Sequence, residues 1–69
     1  MHPFNRISTE KLQEIAKRAG TTLGYLQQIK YGNRVPSRVL ARKIEIAARD
    51  MGIEISRMEL LYPPNENAD

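Results

Sequence analysis

Gln27 and Gln28 are the side chains of this chain best equipped for specific recognition. A primary amide holds a donor and an acceptor in one plane, so it can make two hydrogen bonds to one planar partner. At 100° per residue, Leu23, Gly24, Gln27, Gln28 and Tyr31 share one arc of a helix, and none of them is charged. An ordinary solvent-facing arc would carry Lys and Glu. This one offers two amides, a phenol hydroxyl and an apolar group. Gly24 costs a helix about 1 kcal/mol relative to Ala, and close approach of another backbone near the helix start is a reason to tolerate it. Gln and Gly are also unremarkable as neutral surface residues, so the arc alone leaves two readings open.

Other chemistries find little support. There is no cysteine, which removes disulfides and thiolate metal sites and suits a reducing compartment. The single histidine is His2, and one histidine with scattered carboxylates is a poor metal site. No nucleophile is paired with a base, and no glycine-rich loop is spaced to cradle a phosphate. The sequence therefore predicts neither a cofactor nor an enzyme.

The charges point to a polyanion. Lys17, Arg18, Lys30, Arg34, Arg38, Arg42 and Lys43 lie between Ile15 and Ile44, where there is no acid. That stretch is +7, and the remainder, with four basic residues and eight acids, is −4, which together give the net +3. A single-signed block of this kind is the electrostatic footprint of a nucleic-acid binder, although a solvated basic surface would read the same way. With a polyanion in view, the amides acquire a partner. Gln pairs bidentately with adenine in the major groove, and an apolar side chain can meet the thymine methyl. The basic residues would hold phosphates and set the register.

Three helices must position these groups. The first is predicted from about Thr9 to Ala19, with Ser8 or Thr9 as cap, Glu10 in the first turn, Leu12, Ile15, Ala16 and Ala19 on one face, and Gly20 as a left-handed stop. The second runs from about Leu23 to Tyr31, capped by Thr22 and ended by Gly32-Asn33. Val35-Pro36 is extended and Ser37 caps a third helix from about Arg38 to Met51, with Leu40, Ile44, Ala47 and Met51 as its buried stripe. After Gly52 and the alternating Ile53-Glu54-Ile55, Ser56-Arg57-Met58-Glu59 matches a capping box for a short helix through Leu61. Residues 1–62 are expected to form one domain and 63–69 a flexible polar tail. The chain has 69 residues, of which 41% are hydrophobic, enough for a small core that dimerisation would help to stabilise. No apolar run approaches the ~20 residues of a membrane span. With no secretory signal in view, a cytoplasmic location is expected.

Only Gly20-Thr21-Thr22 joins the first two helices, and so short a link makes them cross steeply. Small residues are needed where they approach, which Ala16 and Ala19 supply. Leu26 and Ile29, at i and i+3, would bury the inner face of the second helix, with Tyr25 on its flank.

Ala16 to Gly20, Thr22, Tyr25-Leu26-x-x-Ile29, Gly32-Asn33-Arg34 and Pro36-Ser37 resemble the lambda-repressor-like helix-turn-helix class. Within it, Gly20-Thr21-Thr22-x-Gly24-Tyr25-Leu26-Gln27-Gln28-Ile29 and Ile55-Ser56-Arg57-x-Glu59-Leu60 are similar to the Cro-like and YdaS-like regulators of phages and prophages. The resemblance implies an all-α domain of four or five helices that binds operator DNA as a transcriptional repressor. It places Thr22, Leu23, Gly24, Gln27, Gln28 and Tyr31 against bases, and Lys17, Arg18, Lys30, Asn33, Arg34, Arg38 and Arg42 against phosphates. An alternative it implies is an antitoxin that pairs with a protein toxin. Members of the class often carry a longer helix ahead of the motif. Here Met1–Ile7 must form a stunted helix begun at Pro3, with Phe4 and Ile7 closing the core, or none.

Regulators of this kind bind two half-sites as two-fold homodimers. Val39 and Ile46, i and i+7 on the third helix, are candidates for the contact, or they pack under the C-terminal segment. Ile53, Ile55, Met58 and Leu61 could likewise cover the core or form the dimer interface.

Overall fold

The computed structural model describes residues 2–62. The tail expected at 63–69 lies outside the described residues. The described chain is all-helical, and no strand occurs in it. A 3-10 turn at Pro3–Arg6 is followed by α1 (Thr9–Ala19), α2 (Leu23–Lys30), α3 (Arg38–Asp50) and α4 (Arg57–Leu61). The two helix ends that differ from the sequence reading do so by one residue: Tyr31 and Met51 are the C-caps of α2 and α3.

Each helix begins where a hydroxyl can accept an orphan N–H. Ser8 Oγ accepts from Lys11 N at 3.3 Å, Thr22 Oγ1 from Tyr25 N at 3.1 Å and Ser37 Oγ from Leu40 N at 3.2 Å. The end of α1 is set by Gly20, at φ 77° and ψ 30°. In that conformation Gly20 N–H donates to Lys17 O and Thr21 N–H to Ala16 O, at 3.3 and 2.8 Å. This pair of bonds satisfies two last-turn carbonyls and reverses the chain within three residues. Gly32, at φ 82°, ends α2 in the same way, with Asn33 N–H donating to Gln28 O at 2.9 Å. Asn33 itself stays at negative φ, so the glycine alone supplies the left-handed residue.

Phe4, Leu12, Ile15, Leu26, Ile29, Ile44 and Leu60 are the large side chains at the centre of the core. Every helix contributes to it, and so does the N-terminal turn. The stunted form of the N-terminal segment is therefore the one adopted: Pro3 starts a single turn, Phe4 is fully buried and Ile7 is 8% exposed. Burying a side chain of Phe size contributes about 1.5–3 kcal/mol, a large share of what a core this small supplies.

The buried stripe of α3 differs from the predicted one. Ala41, Ile44, Ala47 and Ala48 are buried, whereas Leu40 and Met51 pack against the core half-exposed. The helix is turned to put its alanines inward because α1 and α4 both pack on it, and small residues permit that approach. The start of α4 also departs from the predicted capping box. Ser56 Oγ accepts from Met58 N at 3.1 Å, but Glu59 turns away to Arg6, at 3.3 Å. The first turn is capped instead from another helix: the carboxylate of Glu45 in α3 accepts the N–H of Arg57 at 2.9 Å. No helix among the described residues is long and apolar enough to cross a membrane.

Candidate nucleic-acid interface

The helix α2 is held from one side. Leu26 and Ile29 are buried, and Leu23 and Tyr25 are half-buried against the core. Thr22, Gly24, Gln28 and Tyr31 are exposed, and Gln27 is half-buried. The outward arc expected from spacing is thus present, with Leu23 leaning partly into the core. Its side chain offers less apolar surface outward than the spacing suggested. A Cβ added at Gly24 would meet nothing within 4 Å, so no neighbour within the fold requires glycine there.

Thr22, Leu23 and Lys17 line one groove, of about 370 Å³, together with Glu10, Gln13, Glu14 and Thr21. Two carboxylates therefore stand near the start of α2. The acid-free stretch in the sequence is not an acid-free surface, because α1 folds Glu10 and Glu14 back beside it. Glu14 also holds Arg18 in an i, i+4 ion pair at 2.9 Å. A carboxylate partner already in place makes Arg18 worth less to a phosphate than an unpaired arginine.

At the other end of α2 the surface is cationic. Lys30 is half-buried, with its Nζ 5.7 Å from the centre of the Tyr31 ring. An ammonium over a ring face orders both side chains. Asn33 and Arg34 are exposed in the connection to α3. Arg38 and Arg42 are exposed as well, but the groove they line is shared with Val39, Arg57, Met58, Leu61 and Tyr62, and it contains no residue of α2. The sequence-derived phosphate set is therefore split: Lys30, Asn33 and Arg34 lie by the end of α2, Lys17 by its start, and Arg38 and Arg42 along α4.

Of the candidate dimer contacts, Val39 and Ile46 are 66% and 48% exposed, so among the described residues neither is buried under the segment that follows α3. Ile55 is 4% exposed and belongs to the core, and Ile53 packs half-buried against it. Ile55 is therefore removed from the candidate interface, because its side chain is already spent inside the monomer. Arg42 and Lys43, both exposed, flank the Val39–Ile46 strip.

Among the described residues, no three His, Cys, Asp or Glu side chains are grouped to hold a metal ion. Comparison with protein-family models, with curated proteins and with solved structures finds no match to this chain.

Proposed function

We propose that the protein is a lambda-repressor-like helix-turn-helix regulator that binds operator DNA by laying α2 in the major groove. The observation that carries this reading is the outward face of α2: exposed Gly24, Gln28 and Tyr31 with half-buried Gln27, uncharged throughout, beside Lys30 and Arg34. A helix with its side chains is about 10–12 Å across, which the major groove, about 12 Å wide, admits, and the eight residues of α2 give two turns to lie along it. Gln28 reads base edges, with Gln27 supporting it, and Lys30, Asn33 and Arg34 hold the backbone beside it. At the helix start Lys17 competes with Glu10 and Glu14, so phosphate contact is weighted towards the end of α2.

Two copies occupy two half-sites, and they pair on DNA in preference to free solution. The Val39–Ile46 strip is apolar, but Arg42 and Lys43 flanking it would meet their own copies across a two-fold axis. Phosphates near that axis relieve the repulsion. As a repressor, the protein acts by occupying the site.

Selection of bound duplexes from random sequence, followed by titration at several salt concentrations, tests the reading. A specific site with a log–log salt slope of about −0.9 per phosphate neutralised is expected. Binding indifferent to sequence, or insensitive to salt, would refute it. Replacing Ile46 by Ser should abolish cooperative filling of the second half-site and leave the first intact.

A further inference from the structure

The groove between α3 and α4 differs in lining from the grooves that hold Glu10 and Glu14 or Glu45, Glu54 and Glu59. It measures about 520 Å³ and is bounded by Arg38, Val39, Arg42, Arg57, Met58, Leu61 and Tyr62. Leu61 is half-buried, while Val39, Met58 and Tyr62 are 66%, 56% and 65% exposed. Among the described residues the lining holds arginines and apolar side chains and no acid. The Glu45 carboxylate, which lies outside the lining and accepts the Arg57 backbone N–H, comes no nearer than 4.0 Å to the Arg57 guanidinium. Arg38 and Arg42 take part in no ion pair among the described residues.

We infer that this groove docks an acidic, apolar segment of a partner protein, with Leu- or Phe-like side chains in the groove and carboxylates on the arginines. Charge complementarity selects this occupant. Carboxylates pair with guanidinium groups in two-point geometry, and desolvated apolar anchors supply the affinity. A second copy fits badly, because groove on groove about a two-fold axis would face three arginines with three more and bring no acid from either lining. Nucleic acid satisfies the arginines but leaves Met58, Leu61 and Tyr62 without a partner. Arg38 and Arg42 are shared with the phosphate set, and Val39 with the pairing strip. Occupancy of the groove therefore opposes DNA binding, a consequence that rests on the DNA-binding reading, whereas the docking site does not.

The test uses the full chain without DNA and a labelled amphipathic peptide with Leu and Phe on one face and Glu on the other. The same peptide with Lys for every Glu is the control. Saturable binding is expected, with amide shifts centred on Val39, Arg42, Met58, Leu61 and Tyr62, and the Lys peptide should not bind. Met58→Ser, Tyr62→Ser and Arg57→Gln should each weaken binding about tenfold, with Met58→Ser and Tyr62→Ser leaving duplex binding unchanged. Both apolar sites are exposed, so the folded state tolerates the change, and a thermal melt of each variant verifies it.

Equal binding of the Lys peptide, shifts elsewhere, or no saturation would overturn the docking site. Concentration-dependent shifts in the groove without peptide would assign it to a second copy, and duplex-induced shifts at Met58 and Tyr62 would assign it to nucleic acid; either outcome overturns the proposal. Added operator duplex should displace the peptide. If duplex binds and the peptide stays, the antagonism is overturned. If no duplex binds specifically, the DNA-binding reading fails and the peptide titration still decides the groove.

Discussion

Glu45 of α3 accepts the backbone N–H of Arg57 at 2.9 Å and so serves as a cap for α4 from another helix. A five-residue helix has too few internal bonds to persist alone. Its first turn is held by Ser56 and Glu45, its underside by Leu60, which is fully buried.

Replacing Glu45 by Ala should destabilise the domain by about 1 kcal/mol, the usual cost of losing a cap. Amide exchange in α4 should accelerate more than in α1. Urea melts and exchange rates check both, and a uniform change in all helices would argue against the cap.

Gly24 offers two effects of opposite sign. With nothing within 4 Å of an added Cβ, Gly24→Ala should stabilise the fold by about 0.5–1 kcal/mol. If DNA backbone approaches closely there, the same variant binds operator less tightly. A stabilised variant with unaltered affinity would show that Gly24 faces no ligand.

Gln28 should matter more to specificity than Gln27, because it is exposed where Gln27 is half-buried. Gln28→Ala should relax discrimination at its base by about 1–3 kcal/mol. Affinity for unrelated duplex should hardly change. Competition binding against single-base variants of the operator reads the difference directly.

His2 makes stability depend on pH. Its Nδ1 accepts the N–H of Phe4 at 3.1 Å, which places the neutral ring's proton on Nε2, a buried atom without a partner. Burial, and then the positive amino terminus, pull its pKa below the ordinary 6.5, against a smaller upward pull from Glu59. The unfolded chain therefore binds a proton first. Stability is full above about pH 6.5 and declines as pH falls below it, until the folded ring also protonates. Melting temperature across pH 5–8 should show this slope, and His2→Asn should remove it.

The capped helices and their ends were legible in the sequence because caps and left-handed stops are local chemistry. Ser8, Thr22, Ser37, Gly20 and Gly32 act on backbone groups within a few residues of themselves. The inner face of α2 was legible too, since Leu26 and Ile29 repeat with the helical period. What tertiary structure decided was everything that depends on neighbours distant in sequence. Periodicity gives α3 an apolar side but not its rotation, which packing against α1 and α4 settled by turning Ala41 and Ala48 inward. Glu59 satisfied the capping pattern, yet it pairs with Arg6, and Glu45 of α3 caps the next N–H, that of Arg57. Ile55 was as apolar as an interface residue and was absorbed into the core. Charge order along the chain likewise did not fix the field at α2, because the fold sets Glu10 and Glu14 at its start, ties Arg18 to Glu14, and carries Arg38 and Arg42 to the groove beside α4. Short-range bonds are written in the sequence; the balance of charge and burial at a surface is set only when the helices meet.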